Sequence, residues 1–234
     1  HIAKIPLHKW KFIALTSIFG TFLPVYLFAI ALSKIDGSIS SILNSLTPLN
    51  TLIAGILFFK MDVQRRQIFG VIIGFVGCVL LILFGDGEST TENYYYALLI
   101  VLASICYGVN VNLIKKYLSD LKPLTISTGN FLVILFPALI VLYFSGFFEI
   151  THEPKVITSL GYIAILGIVG TGLSNILFFK LIQISSPVFA SSVTYLIPVV
   201  AILLGYFIMN ETLTYTQGIG AFVVLLGVYF SSRK

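Results

Sequence analysis

What most constrains this chain is a succession of long apolar runs, each about the length a helix needs to cross a lipid bilayer. A hydrocarbon core roughly 30 Å thick takes about 20 helical residues, each rising about 1.5 Å. Runs of that size cover residues 12–32, 38–59, 67–84, 95–114, 124–144, 157–179, 187–209 and 213–230. Strands of a membrane barrel are about ten residues long and alternate polar with apolar, so these unbroken runs are read as eight helices. Composition agrees: 58% of the residues are hydrophobic and 10% charged, and the mean hydropathy is +1.03. A soluble domain has about 25% charged residues, so this chain cannot dress itself in a water-compatible surface. Its polar interruptions, such as SKIDG, QISS and NET, are too short to bury a core of their own. The expected fold class is an all-α polytopic membrane protein.

Charge sets the expected orientation, because segments rich in Lys and Arg resist translocation. Eight crossings return the C-terminus to the side of residue 1. That side carries Lys4, Lys9, Lys11, Lys60, Arg65, Arg66, Lys115, Lys116, Lys122, Lys180, Arg233 and Lys234, and the other only Lys34 and Lys155. Acids run the other way, with only Asp62 and Asp120 on the basic side. The net charge of +5 therefore reads as a topology signal, with both chain ends cytoplasmic, and not as a nucleic-acid footprint. Cys78 and Cys106 fall inside apolar runs, where thiols behave as small hydrophobes.

Sliding the chain along itself by 150 residues aligns 13–77 with 163–227 without a gap. Identical pairs include Gly20/Gly170, Thr21/Thr171, Ser41/Ser191, Pro48/Pro198, Gly55/Gly205, Gln67/Gln217, Gly70/Gly220 and Gly77/Gly227. The first span matches the sixth, the second the seventh and the third the eighth. Five crossings, an odd number, separate the members of each pair, so the copies are expected to lie upside down relative to each other, an inverted repeat as in many secondary transporters. Spans four and five have no counterpart within the chain. The repeat thus predicts eight transmembrane helices here of an expected ten, arranged five plus five. On that reading residues 1–85 hold the last three helices of a first repeat and residues 94–234 the five of a second.

The segments SILNSLTPLNTLIAGILFF…QIFGVIIGFVGCVLL and SSVTYLIPVVAILLGYFIMNETLTYTQGIGAFVVLLGV carry a mid-span proline, a short loop and a Q-x-x-G-x-x-x-x-x-x-G helix. In this they resemble the two EamA domains of the drug/metabolite transporter superfamily. The second copy has the Asn210-Glu211 pair typical of that loop, where the first has Lys60-Met61. The resemblance covers nearly the whole chain. It implies a ten-helix exporter or permease in the cell (inner) membrane with both ends in the cytoplasm and a small-molecule substrate, and it fixes neither the substrate nor the oligomeric state; no cofactor is expected.

Candidate site residues come from polar groups placed at membrane depth. A proline within a span leaves the carbonyl four residues back without its usual partner. For Pro48 that carbonyl is Asn44's, and for Pro198 it is Thr194's. Both spans carry polar stripes, Ser38, Ser41, Asn44 and Ser45 in one and Ser191, Thr194 and Tyr195 in the other. Either these kinked helices wall a central pathway, or the stripe is ordinary helix packing. Expected substrate contacts are Asn44, Ser45, Tyr107, Asn110, Asn175, Thr194 and Tyr195, with Pro24, Pro48, Pro137 and Pro198 as helix kinks. Thr21, Asn130 and Ser174 are further candidates. The glycine face of Gly70, Gly74 and Gly77 is read as close packing.

No Asp, Glu, Lys, Arg or His lies in the middle of any span, which takes support from intramembrane enzyme and metal readings. A multiply anionic substrate would want Arg or Lys at depth. The expectation is therefore a permease exporting a small neutral or zwitterionic metabolite, an amino acid or drug-like compound, by alternating access. The alternative is a non-transporting membrane scaffold or sensor with the same fold.

Overall fold

The computed structural model describes residues 5–35, 37–83, 94–149, 151, 154–208 and 215–232. Among these there are eight helical rods and no strand. The rods are α1 (Leu7–Leu32), α2 (Gly37–Asn44 continued by Thr47–Leu57), α3 (Arg65–Leu83) and α4 (Tyr94–Tyr117). They go on with α5 (Pro123–Phe144), α6 (residues 154–184), α7 (residues 187–208) and α8 (Tyr215–Ser232). Of these, Leu7–Leu32, Tyr95–Tyr117, Pro123–Phe144 and Val156–Ile184 are long and apolar enough to cross a membrane as single spans. The chain is a multi-pass membrane protein.

Lipid tails are as apolar as leucine, so these helices gain little from hydrophobic burial against one another and associate through close packing and interhelical hydrogen bonds. The α3–α8 crossing is the tightest case. A methyl group on Gly77 would sit 2.6 Å from the backbone nitrogen of Val224, and one on Gly70 would sit 2.8 Å from the carbonyl of Gly227 and against the nitrogen of Ser231. Gly227 in turn lies against the backbone of Gly74. Numbers rise along α3 (70, 74, 77) as they fall along α8 (231, 227, 224), so the two helices run antiparallel. The contact is also self-complementary under the 150-residue offset: Gly74 meets Gly227, the counterpart of Gly77, and Gly77 meets Val224, the counterpart of Gly74. That reciprocity marks a twofold axis, here a pseudo-twofold one between the inverted halves.

The remaining helices gather around α4. Of its apolar window 56% is buried, against none in α6. Gly108 lets α4 approach α2 so closely that a methyl group there would meet the nitrogen of Thr51 at 2.7 Å. Ile13, Val111, Ile114, Leu118, Ile126, Phe179 and Ile182 form one buried cluster, tying α1, α4, α5 and α6 together. A second cluster, Cys78, Tyr195, Val199 and Val224, joins α3, α7 and α8.

Polar bridges collect at one end of the bundle. Lys9 of α1 donates to the Tyr117 carbonyl (2.7 Å) and to Asp120 (2.8 Å). Lys116 donates to the Phe59 carbonyl just past α2 (2.9 Å), and Lys115 to the Gln183 and Ser185 carbonyls ending α6 (2.8 and 2.6 Å). Gln67 of α3 reaches Ser186 before α7 at 3.0 Å. The start of α1, α3, α5 and α7 thus shares an end with the finish of α2, α4, α6 and α8, as eight alternating crossings require. Lysines at helix C-termini also suit the negative pole of the helix dipole.

Lys60 closes α2 with a positive φ of 51°. The Met61 N–H donates to the Gly55 carbonyl at 3.0 Å, six residues back, so the left-handed turn at Lys60 gives a carbonyl of the last helical turn a partner.

Substitution at the glycine seam separates the tight contact from the open surface. Gly227→Leu is expected to cost about 3 kcal/mol or more, because backbone stands where the side chain would go. Gly218→Ala, with nothing within 4 Å of the added carbon, is expected to be neutral or to gain up to about 1 kcal/mol of helix propensity. Thermal unfolding of the purified protein in detergent distinguishes the two.

Candidate functional site

The irregular turns of the two halves fall at matching places. In α1 the helix widens to a π-helical turn over Ile18–Phe22, just before Pro24. In α6 it does so over Leu166–Leu173, which includes the offset counterparts 168–172. Such wide turns inside helices recur at functional sites. The second helix of each half is interrupted just upstream of its shared proline: α2 between Asn44 and Thr47, α7 by the 3-10 turn Val193–Tyr195.

The carbonyl that Pro48 deprives of a partner finds one locally. Thr47 Oγ1 donates to the Asn44 carbonyl at 2.7 Å and approaches the Asn44 side-chain oxygen at 3.3 Å. The counterpart of Thr47 in the second half is Ile197, which has no hydroxyl to give, and there the chain tightens into the 3-10 turn instead. Thr194 Oγ1 bonds back to the Ser191 carbonyl at 2.8 Å. Pro137, by contrast, lies inside a helix that runs unbroken from Pro123 to Phe144.

The sequence candidates separate into three places. Tyr107 and Asn110 lie on α4 facing α1. Tyr107 packs its ring 6.2 Å from that of Phe28, and Asn110 lies over Gly20 in the π-helical turn. Asn110 is buried, and its carboxamide oxygen has no hydrogen-bond partner. Asn44 and Ser45 sit at the break of α2, Ser45 buried and Asn44 partly so. Thr194 and Tyr195 sit at the break of α7. Tyr195 is fully buried, its ring against Gly74 and its hydroxyl donating to the Val71 carbonyl at 2.9 Å. Asn175, on α6, is half-buried, and its side chain makes no hydrogen bond among the described residues. The structure thus joins Tyr107 to Asn110 and Thr194 to Tyr195, and sets Asn175 apart on the helix with the least cover. Asn130 is engaged elsewhere: its oxygen accepts from Thr16 and Ser17 at 3.0 and 3.2 Å, stitching α5 to α1. Asn210 and Glu211 lie outside the described residues.

Asn112 is among the buried polar residues that the sequence did not single out. Asn112 stands two positions past Asn110, roughly 200° around the helix, and so faces α2 rather than α1. It is fully buried and donates to the carbonyls of Thr51 (2.8 Å) and Gly108 (2.9 Å), while its oxygen has no hydrogen-bond partner. It lines a cavity of about 20 Å³ together with Thr51, Gly55, Asp62, Gln67 and Ser186. Its signal was in the sequence, as the second Asn of GVNVN, but spacing alone did not say which helix each Asn would meet.

Comparison with known proteins follows the same outline. The family model described as the EamA-like transporter family matches residues 1–83 and 95–233. The chain belongs to that family. An uncharacterized transporter of Archaeoglobus fulgidus is 28% identical over 240 residues, covering 97% of this chain and 80% of that protein. An uncharacterized transporter of Synechocystis is 28% identical, covering 98% and 67%. Protein PecM of Dickeya dadantii is 24% identical, covering 96% and 76%. A solved crystal structure superposes with a TM-score of 0.75 at 16% identity over 99% of this chain and 78% of its own, a likeness of fold.

As an EamA-family protein, the chain is a transporter, and its site residues are to be sorted by what they hold together. Tyr195→Phe is expected to lose about 1 kcal/mol of stability through the missing bond to Val71. If the phenol serves packing alone, solute flux stays at the wild-type level; a fall in flux without a fall in unfolding temperature would place the hydroxyl in the pathway. The Lys9–Asp120 pair gives a pH signature. Its hydrogen bond from Lys9 holds the Asp120 carboxyl below the ordinary carboxylate value. The contribution is therefore present at neutral pH and is lost as acidification carries the pH down through the lowered value; Asp120→Asn should flatten that part of the stability profile. The carboxylate is 60% exposed, so the effect is small.

Proposed function

We propose that this protein is a secondary transporter of the inner membrane, with both chain ends cytoplasmic, that exports a small neutral or zwitterionic metabolite by alternating access. The observation that carries this reading is the pairing of irregular backbone across the inverted halves: two π-helical turns and two proline-linked breaks at matching positions. Non-helical backbone at membrane depth is tolerated where it meets protein or lines a wet cavity. In inverted-repeat transporters, sites lie between the halves near the bilayer midplane. Asn44, Ser45, Tyr107, Asn110, Asn175, Thr194 and Tyr195 are the residues proposed to line that route. The polar bridges at the basic end favour a state closed there.

The two repeats are proposed to be residues 1–85 and 94–234. In the second, α4 covers α1 and α2 of the first, and α5 covers α1. The corresponding face of α6 is largely exposed, with Ile163, Leu166, Ile168 and Leu177 uncovered. Pseudo-symmetry makes that face a fit for two helices equivalent to α4 and α5.

Reconstitution into proteoliposomes tests the reading. Labelled solute is expected to exchange across vesicles that contain the protein and not across empty ones. Asn44→Leu or Asn175→Leu should lower flux several-fold with folded yield near normal. No flux for any tested metabolite would leave the scaffold or sensor alternative in its place.

A further inference from the structure

The small cavity at the basic end is built from four elements, and its polar lining is unevenly satisfied. Thr51 and Gly55 come from α2, Asp62 from the α2–α3 connection, Gln67 from α3, Asn112 from α4, and Ser186 from the approach to α7. The Gln67 amide nitrogen donates to the Ser186 hydroxyl oxygen at 3.0 Å, and that oxygen also accepts from the Phe189 N–H at 3.1 Å. The Asn112 amide is fixed in orientation by its two bonds to the Thr51 and Gly108 carbonyls; turning it over would lose both and leave two donors without acceptors. Its oxygen therefore stays beside Gly55, where a methyl group would approach it to 3.1 Å, fully buried and without a donor. Asp62 has no ion pair or hydrogen bond among the described residues. The buried atom of this cavity left without a partner is thus an acceptor, the Asn112 oxygen, and Asp62 adds an exposed carboxylate to the lining.

A buried carboxamide oxygen without a donor, in a lining that also carries a carboxylate, suits an occupant that donates hydrogen bonds and carries positive charge. The space, about 20 Å³, exceeds the roughly 10–15 Å³ that one water needs, which is also the size of an ammonium group. An inorganic cation would have to approach past Lys60, Arg65 and Arg66, all exposed and close to Asp62 in sequence. A zwitterion brings its own carboxylate to that basic rim. We propose that the Asn112–Asp62 cavity is a docking point for the primary ammonium group of a zwitterionic solute at the basic mouth of the transporter. This rests on the transporter reading and deepens it, by giving the solute one chemical requirement and placing its first contact away from the midplane breaks.

The test uses the full chain, purified in detergent, and a panel of L-amino acids paired with the matched carboxylic acids that lack the amine. Sodium chloride and choline chloride serve as cation controls. Unfolding temperature is expected to rise with concentration for at least one amino acid and not for its deaminated partner or for either salt. Asp62→Asn, on an exposed connection, should leave the unliganded unfolding temperature unchanged and weaken that binding roughly tenfold, the scale of one lost charge-assisted hydrogen bond. Gly55→Ala, which crowds the Asn112 oxygen without breaking its amide bonds, should weaken it in the same direction. Equal stabilisation by the deaminated acids, no stabilisation by any amino acid, or unchanged affinity in both variants overturns the proposal. A shift with sodium chloride alone overturns it in favour of an inorganic cation. Flux of an amine-free solute that both variants leave intact would remove the ammonium dock while the transporter reading stands; absence of all flux removes the transporter reading itself.

Discussion

Inside a bilayer no water is available to a backbone N–H or C=O, so each must find a partner within the protein. This constraint explains why the described residues form helices almost throughout, and it gives every departure from the helix its meaning. Where α2 breaks before Pro48, Thr47 donates its hydroxyl to the stranded Asn44 carbonyl. Where α1 and α6 widen into π-helical turns, the helices continue with shifted pairing and do not end. These are local repairs, and they occur in matching places because one backbone plan has been used twice. A defect that arose by drift in one half would have no reason to reappear, inverted, in the other.

The same plan places glycine at the crossing of α3 and α8. Because that crossing lies on the pseudo-twofold axis, each half supplies the surface that the other half needs, and small residues serve both sides at once. Gly74 has a double duty: it meets Gly227 and also gives room to the Tyr195 ring, fully buried beside α3. The buried phenol then satisfies itself on the Val71 carbonyl. Position 224, the counterpart of Gly74, is Val, buried against Cys78 and Val199 with no tyrosine in the matching place. The symmetry is therefore one of backbone, while the side chains have diverged.

Much of this was legible in the sequence because periodicity and repetition report backbone plans. Span length, the alternating charge and the 150-residue offset foretold a helical membrane protein with inverted halves, and the structure and family agree. Pro48 and Pro198 marked the breaks because proline acts through its own covalent geometry. The π-helical turns were not read, since Pro24 has Ser174 as its counterpart and no residue type alone demands a wide turn. The Gly-Thr pairs at 20–21 and 170–171 are a trace of them, as are Ile18/Ile168 and Leu23/Leu173. Asn110 and Asn112 show a further limit. Two residues apart on one helix, they differ by which neighbour they face, and that depends on how α4 sits between α1 and α2. Tyr195, a residue that pattern reasoning placed among substrate contacts, is seen here packed and hydrogen-bonded between helices.

Polar bridging at the basic end bears on how such a bundle changes shape. Among the described residues, the lysine ties to Tyr117, Phe59, Gln183 and Ser185 all lie there, and each joins a charged group to a carbonyl at or beyond a helix end. Hydrogen bonds to charged groups contribute about 1.5–3 kcal/mol each, so several together would hold this end shut against a competing arrangement only a few kcal/mol away. Under alternating access, opening that end requires the lysines to exchange carbonyls for water, which at the membrane surface is near at hand. The exchange is possible at the rim and would be prohibitive at the midplane. This accounts for a division of labour in which charged side chains govern the ends of the helices and neutral amides, hydroxyls and repaired backbone occupy their middles.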